Sequence, residues 1–353
     1  MRRNLPVIGL IAAVVVGLAP PSGALEKTPL LRTVQAAVPA GGTPSWASAA
    51  MQYVTGQDFI SGRVLDANQP LSRKAFTGLM RRAFGGGYSK SRGKVTAREV
   101  DAALVKALGK RSVAAGVART KSPNGFDPGV SLWDGFEIVA REMGLRHDRP
   151  TSEEAFESSA NEPMLGADIA YAVWRAKTSP NTWGADEVAT WDLDNIKGVR
   201  QKVVKYAFNQ VGQPYVWGGE WTSRTPPGYP YGAQPHGGLD CSGFSWYVLR
   251  AAASGWHPKK RSYRGWALGD RSSSYMAANT PRRIGYKDLK TGDLMFFSSS
   301  GTKAASSVYH AGIYLGKGWM IDSAGGQAGV SLSKVGGDSW WRDQFVWGRR
   351  VIH

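Results

Sequence analysis

Cysteine is almost absent: Cys241 is the only one in 353 residues. That excludes an internal disulfide framework and any cysteine-rich zinc site. Long apolar runs are equally scarce. The one present, "LPVIGLIAAVVVGLA", follows the basic start "MRR" and precedes the small residues "PPSGA". It is shorter than the roughly 20 residues that span a bilayer. The pattern is that of an export signal cut near Ala24, so residues 1–24 are read as a signal peptide. No later segment is apolar for long enough to cross a membrane, and the mature chain is expected outside the cytoplasm. Acidic residues are also few, 27 against 44 Lys and Arg, for a formal charge of +17. Such an excess suits a polyanionic setting such as nucleic acid, lipid headgroups or wall polymers. Export makes nucleic acid the poorest of these. The basic residues are scattered, so a generally cationic surface explains them equally well.

The length allows about two domains. "TVQAAVPAGGTPS" reads as a flexible linker within residues 25–45. Residues 46–191 alternate helical patterns with Gly-containing breaks. "LSRKAFTGLMRRAF" carries an apolar side of Leu71, Ala75, Leu79 and Ala83, with Ser72 as N-cap and "GGG" as stop. "TAREVDAALVKALG" repeats the design, with Thr96 and Glu99 spaced as a capping box and Gly109 ending it. "SLWDGFEIVAREMG" and "PMLGADIAYAVWRA" predict two more amphipathic helices. The first unit resembles a surface-layer homology repeat, through Trp46, Phe59, Gly62, Pro70, Leu71, Arg73 and Phe76. The resemblance implies a wall-associated module that binds anionic wall polymer. The later units have no arginine where the first has Arg73, and a helical spacer is the alternative.

From about Asp192 the pattern changes. Ile196, Val199, Val203, Ala207 and Val211 form a helical stripe that Gly212 and Pro214 end. Short β-like runs follow: "DLMFFSS", "YHAGIYLG", "GWMIDSA" and "QFVWGRRVI". Helices first and strands afterwards predict an α+β domain over residues 192–353, with helices packed on a small antiparallel sheet.

The lone thiol stands in "LDCSGFSWYVLRAA". Asp240 is a good N-cap, and Phe244, Val248 and Ala251 or Ala252 recur at helical spacing, so Cys241 falls in the first turn. Unpaired N–H groups and the helix dipole favour negative charge there, and with it the thiolate, the nucleophilic form. The same N–H groups suit an oxyanion on an attacked carbonyl. A cysteine serving as core filler would sit on the apolar stripe instead.

A nucleophile needs a base. The histidines are His147, His236, His257, His310 and His353, too dispersed for a zinc site, so neither metal nor other cofactor is expected. His236 lies in the loop before the cysteine and could line a site, while "GWHPKK" places His257 at a helix end. His310 opens a strand. A three-residue loop Gly316–Gly318 would pair Leu315 with Trp319 and Ile313 with Ile321 on one apolar face. Asp322 then lies opposite Gly312 and diagonal to His310, about 7–8 Å apart at the backbone and within side-chain reach. Asp322 can accept a hydrogen bond from the imidazole and fix its tautomer.

"GQPYVWGG", "DCSGF", "DLKTGDLMFF" and "HAGIYLGKGWMIDSAG", in this order, resemble the NlpC family of cell-wall cysteine endopeptidases. The likeness runs from about Ile196 through "VWGRRVI". It implies a reduced papain-like fold with Cys241 as nucleophile, His310 as base and Asp322 as the third, orienting residue, a position more often histidine or an amide. It also implies substrate contacts from Tyr215, Asp240 and Ser242, with Trp217 and Gly218 shaping the groove. The implied reaction is hydrolysis of a peptidoglycan stem peptide between γ-D-glutamate and a diamino acid. Acyl transfer on the same fold and a non-catalytic wall-binding protein are the alternatives.

Overall fold

A computed structural model describes residues 42–62, 64–86, 92–222, 237–250, 263, 265, 268, 271–280 and 282–353. The expected signal peptide, most of the linker, His236 and His257 lie outside the described residues.

The described residues of the first half contain seven α-helices: α1 (Ser48–Gly56), α2 (Arg73–Phe84), α3 (Ala97–Ala107), α4 (Arg111–Arg119), α5 (Leu132–Glu142), α6 (Gly166–Thr178) and α7 (Thr182–Val188). Their starts follow local chemistry. The Ser72 side chain accepts from Ala75 N, and Thr96–Glu99 and Ser131–Asp134 form capping boxes. Gly85 ends α2 at φ 75°, where a left-handed residue satisfies the last carbonyls. Phe76, Leu79, Met80 and Ala83 are the buried face of α2. Each such large side chain withdrawn from water contributes about 1.5–3 kcal/mol.

The second half contains α8 (Val199–Phe208), β1 (Glu220–Trp221), β2 (Gly238–Leu239), α9 (Cys241–Leu249), α10 (Ser273–Ala278), β3 (Leu294–Phe297), β4 (His310–Gly316), β5 (Trp319–Ala324), β6 (Gly329–Lys334), α11 (Trp340–Gln344) and β7 (Phe345–Arg349). Strands β3 to β7 form an antiparallel sheet in the order β6-β5-β4-β3-β7, and β1 pairs with β2. The architecture is α+β, as the sequence predicts. Helix α8 starts later than its apolar stripe, at Val199, because Gly198 at φ 62° interrupts the chain after Ile196. Helix α9 lies across β4 and β5, with Phe244 and Val248 fully buried. Among the described residues, no helix is long and apolar enough to cross a membrane.

The hairpin between β4 and β5 departs from the expected loop. Gly316, rather than Leu315, pairs with Trp319, while Ile313 pairs with Ile321. The turn is only Lys317 and Gly318, at φ 48° and 81°, the positive angles that a tight hairpin matched to strand twist demands. A two-residue turn alone would put the two strands' polar residues on opposite faces. Leu315 bulges beside Gly316, itself at φ 97°, and this extra residue restores the register.

The two halves are joined by polar contacts between α5 and the β6 region. Arg141 Nη1 donates to the carbonyls of Gln327 (3.0 Å) and Ala328, and Glu142 Oε1 accepts from Gln327 Nε2 and Ser331 Oγ, both at 2.8 Å. The backbone N–H of Trp217 donates to Glu154 Oε1 at 2.9 Å. A continuous set of buried apolar side chains runs from α1 through the sheet.

Candidate active site

Asp240 sets the start of α9. Its Oδ1 accepts from Gly243 N (2.6 Å) and Ser242 Oγ (2.9 Å), and its Oδ2 from Gly218 N (2.9 Å). The carboxylate therefore caps the helix and ties it to the loop before β1. Burial pushes Asp240 up to about 6, against the hydrogen bonds that favour its ionised form. Cys241 occupies the first helical turn and is 7% exposed, with Sγ 3.8 Å from Tyr309 O.

His310 reaches the same point from the first residue of β4, close enough for its side chain to hydrogen-bond Cys241. Its Nε2 lies 2.8 Å from Asp322 Oδ2, which leaves Nδ1 as the ring nitrogen for the sulfur. Asp322 is fully buried, and its Oδ1 has no hydrogen-bond partner among the described residues. Gly312 makes the bridge feasible. A Cβ there would come within 2.8 Å of Met320 Sδ and 3.1 Å of Asp322 Cβ. Burial opposes a charged imidazole, but the negative charge and hydrogen bond of Cys241, together with those of Asp322, outweigh it. The result pushes His310 up to about 10, so the ring is cationic at neutral pH.

Tyr215 is half-buried beside this pair. Burial first, then the charges of Cys241, Asp240, Asp148 and Glu154, push its hydroxyl well above the usual phenol range. The structure thus brings together Cys241, His310, Asp322, Tyr215, Asp240 and Ser242. Ser242 turns its hydroxyl to Asp240 and is 6% exposed. Trp217 stands apart at the rim, 59% exposed.

Sequence reasoning missed three contributors. Trp341 of α11 stacks on the His310 ring, with centroids 4.5 Å apart and planes at 27°, and is itself braced edge-on by Phe297 at 4.9 Å. Its only sequence signal is the aromatic pair in "DSWW", which by itself points to no role. Asp148 and Glu154 come from the helical half and face Tyr215. Burial, then the charge of Glu154, pushes Asp148 up to about 7. Nothing in the local pattern of either residue shows that the chain returns them to the cleft. Among the described residues, no three His, Cys, Asp or Glu side chains converge as metal ligands would.

A thiol at a helix start, facing an imidazole that a buried carboxylate orients, is the arrangement of a cysteine hydrolase. The model of the NlpC/P60 family matches residues 212–350, a span that holds every one of these groups except Asp148 and Glu154. Residues 212–350 are an NlpC/P60 domain.

Among curated relatives, the murein DD-endopeptidase MepH of Escherichia coli is 31% identical over 163 residues, covering 45% of this chain and 50% of that protein. The chain spans about half the length of the first curated relatives it matches, 53% and 50%. Among solved structures, the NlpC/P60 domain is similar to the peptidoglycan hydrolase RipB of Mycobacterium tuberculosis, at 24% identity over 44% of this chain and 65% of that one, with a TM-score of 0.31. It is also similar to RipD of the same organism, described as a non-catalytic NlpC/p60 domain protein, at 21% identity over 44% of this chain and all (100%) of that one, with a TM-score of 0.30.

Proposed function

We propose that the chain is an exported peptidoglycan hydrolase, a cysteine endopeptidase of the wall stem peptide. The observation that carries this reading is Cys241 at the start of α9, within hydrogen-bonding reach of a His310 whose other nitrogen is held by Asp322. The Cys241 thiolate attacks the carbonyl carbon of the γ-D-glutamyl–diamino acid amide. The N–H groups at the start of α9 receive the oxyanion. His310 gives its Nδ1 proton to the departing amine as the C–N bond breaks, leaving a thioester. Water then loses a proton to His310 and adds to the thioester carbonyl, and the thiolate is released.

Tyr215 and Asp240 flank the sulfur on the side where the free ammonium end of a stem peptide would lie. Asp148 and Glu154 place carboxyl groups at that end of the groove, which supports a cationic group there. Residues 46–191 serve as the wall-associated module, and the charge of +17 supports contact with anionic wall polymer.

A soluble L-alanyl-γ-D-glutamyl-diamino acid peptide, offered with and without an amine acceptor and followed by mass spectrometry, tests the reading. Hydrolysis products are expected. Acceptor-linked glutamyl product in place of hydrolysis would assign acyl transfer. Wall sedimentation with no product would place the chain with non-catalytic binders.

A further inference from the structure

A second concave site lies at the opposite end of the sheet from His310. On β3, Phe297 pairs with His310, whereas Leu294, at the other end, pairs with Arg349. Around Arg349 and Arg350 the chain encloses a cleft of about 620 Å³ that shares no residue with the active site. That volume falls in the range of small-molecule and polymer subsites. Its walls are fixed by backbone pairing between Ile284 and Gly348, in both directions at 2.9 and 2.8 Å.

The cleft is basic by construction. Arg350 is tied down, donating to Asp293 (2.7 Å from Nη2) and to the Asp288 carbonyl, and Arg349 Nη1 donates to Met276 O. Arg282, Arg283, Lys287 and Lys290 are exposed, and none has a carboxylate within ion-pair distance among the described residues. Among the described residues, Asp288 is the only acidic side chain in the lining. Arg283 lies over the Trp347 ring at 3.7 Å and donates to the Lys303 carbonyl, contacts that bring no counter-charge. Like charges gathered without a counter-charge repel one another, and a bound polyanion relieves that cost.

We infer that this cleft binds a linear phosphodiester polymer on a polyol backbone. Guanidinium forks match phosphate oxygens, and the lysines add point charge. A lipid surface fits less well, because among the described residues none of the exposed large hydrophobic side chains lines the cleft to enter a bilayer. A nucleic acid fits less well, because among the described residues no Trp, Tyr or Phe in the lining offers a base a stacking platform. That the polymer is one of the cell wall rests on the function proposed above. The affinity for phosphodiester does not.

The test uses the chain after signal removal, with poly(glycerol phosphate) as probe and poly-L-glutamate, single-stranded RNA and phosphatidylglycerol vesicles alongside. The variant R282E/K287E/K290E reverses three cleft charges. K197E/K202E/K205E reverses three exposed cations outside both the cleft and the helical half, and changes net charge equally. Wild type and the control variant should bind poly(glycerol phosphate) in preference to the other three probes. The cleft variant should bind it about tenfold or more weakly, with a shallower salt dependence. Equal loss in both variants, or equal or tighter binding of any other probe, overturns the proposal. Cleavage of the soluble stem peptide, measured in parallel, reports on the active site alone and should be the same in both variants.

Discussion

His310 holds opposing influences in balance. Burial alone would neutralise it, yet the sulfur and carboxylate on its two sides keep the proton up to about 10. In the reaction proposed above, the acid that protonates the leaving amine is present below that pH and lost above it. Peptide cleavage should therefore fall as pH rises through about 10, measured as kcat on the soluble peptide. Trp341 fixes the ring plane and offers its π face to the cation. Trp341→Ala should lower kcat about tenfold and move the alkaline limb to lower pH, while Trp341→Phe should restore most of both. Asp240 titrates at about 6. Because its carboxyl becomes neutral below that pH, KM for a peptide with a free amine should rise as pH falls through 6. KM for the N-acetylated peptide should stay level.

At the scale of elements, the start of α9 and the pairing of His310 with Asp322 were legible in the sequence. Capping is local chemistry, and a buried apolar face permits only one strand register. The turn itself was not legible, since a three-residue loop and a two-residue turn with a bulge place the same residues on the same faces. Strand β6 went unpredicted for a different reason. Its "GVSLSK" pattern has serines at alternate positions, which reads as half solvated. Yet Ser331 and Ser333 are buried and bonded to Glu142 and Gln327. The partner Glu142 lies 189 residues away, beyond any local pattern. Gly312→Val tests the hairpin. A side chain there must displace Met320 or Asp322, so cleavage should fall about a hundredfold with the fold retained by circular dichroism.

Across the whole molecule, burial raises many carboxyls. Glu142 and Glu157 are pushed up to about 8, Asp148 to about 7 and Glu220 to about 9. In the unfolded chain such groups release their protons near pH 4–4.5. The folded state therefore binds more protons from about pH 5 to 8, and stability falls as pH rises across that window. His310 acts in the same direction, between its unfolded value near 6.5 and about 10. The thermal midpoint should be highest near pH 5 and decline toward pH 8, read by calorimetry.

The two halves share this chemistry, because Asp148 and Glu154 reach the cleft from one side while Cys241 and His310 reach it from the other. Digestion of purified peptidoglycan by the full chain and by Cys241→Ala, with fragments identified by mass spectrometry, tests the central claim most directly. Wild type should release fragments with new free amines on the diamino acid, and Cys241→Ala none. Equal release by Cys241→Ala would show that the lone sulfur is not the nucleophile.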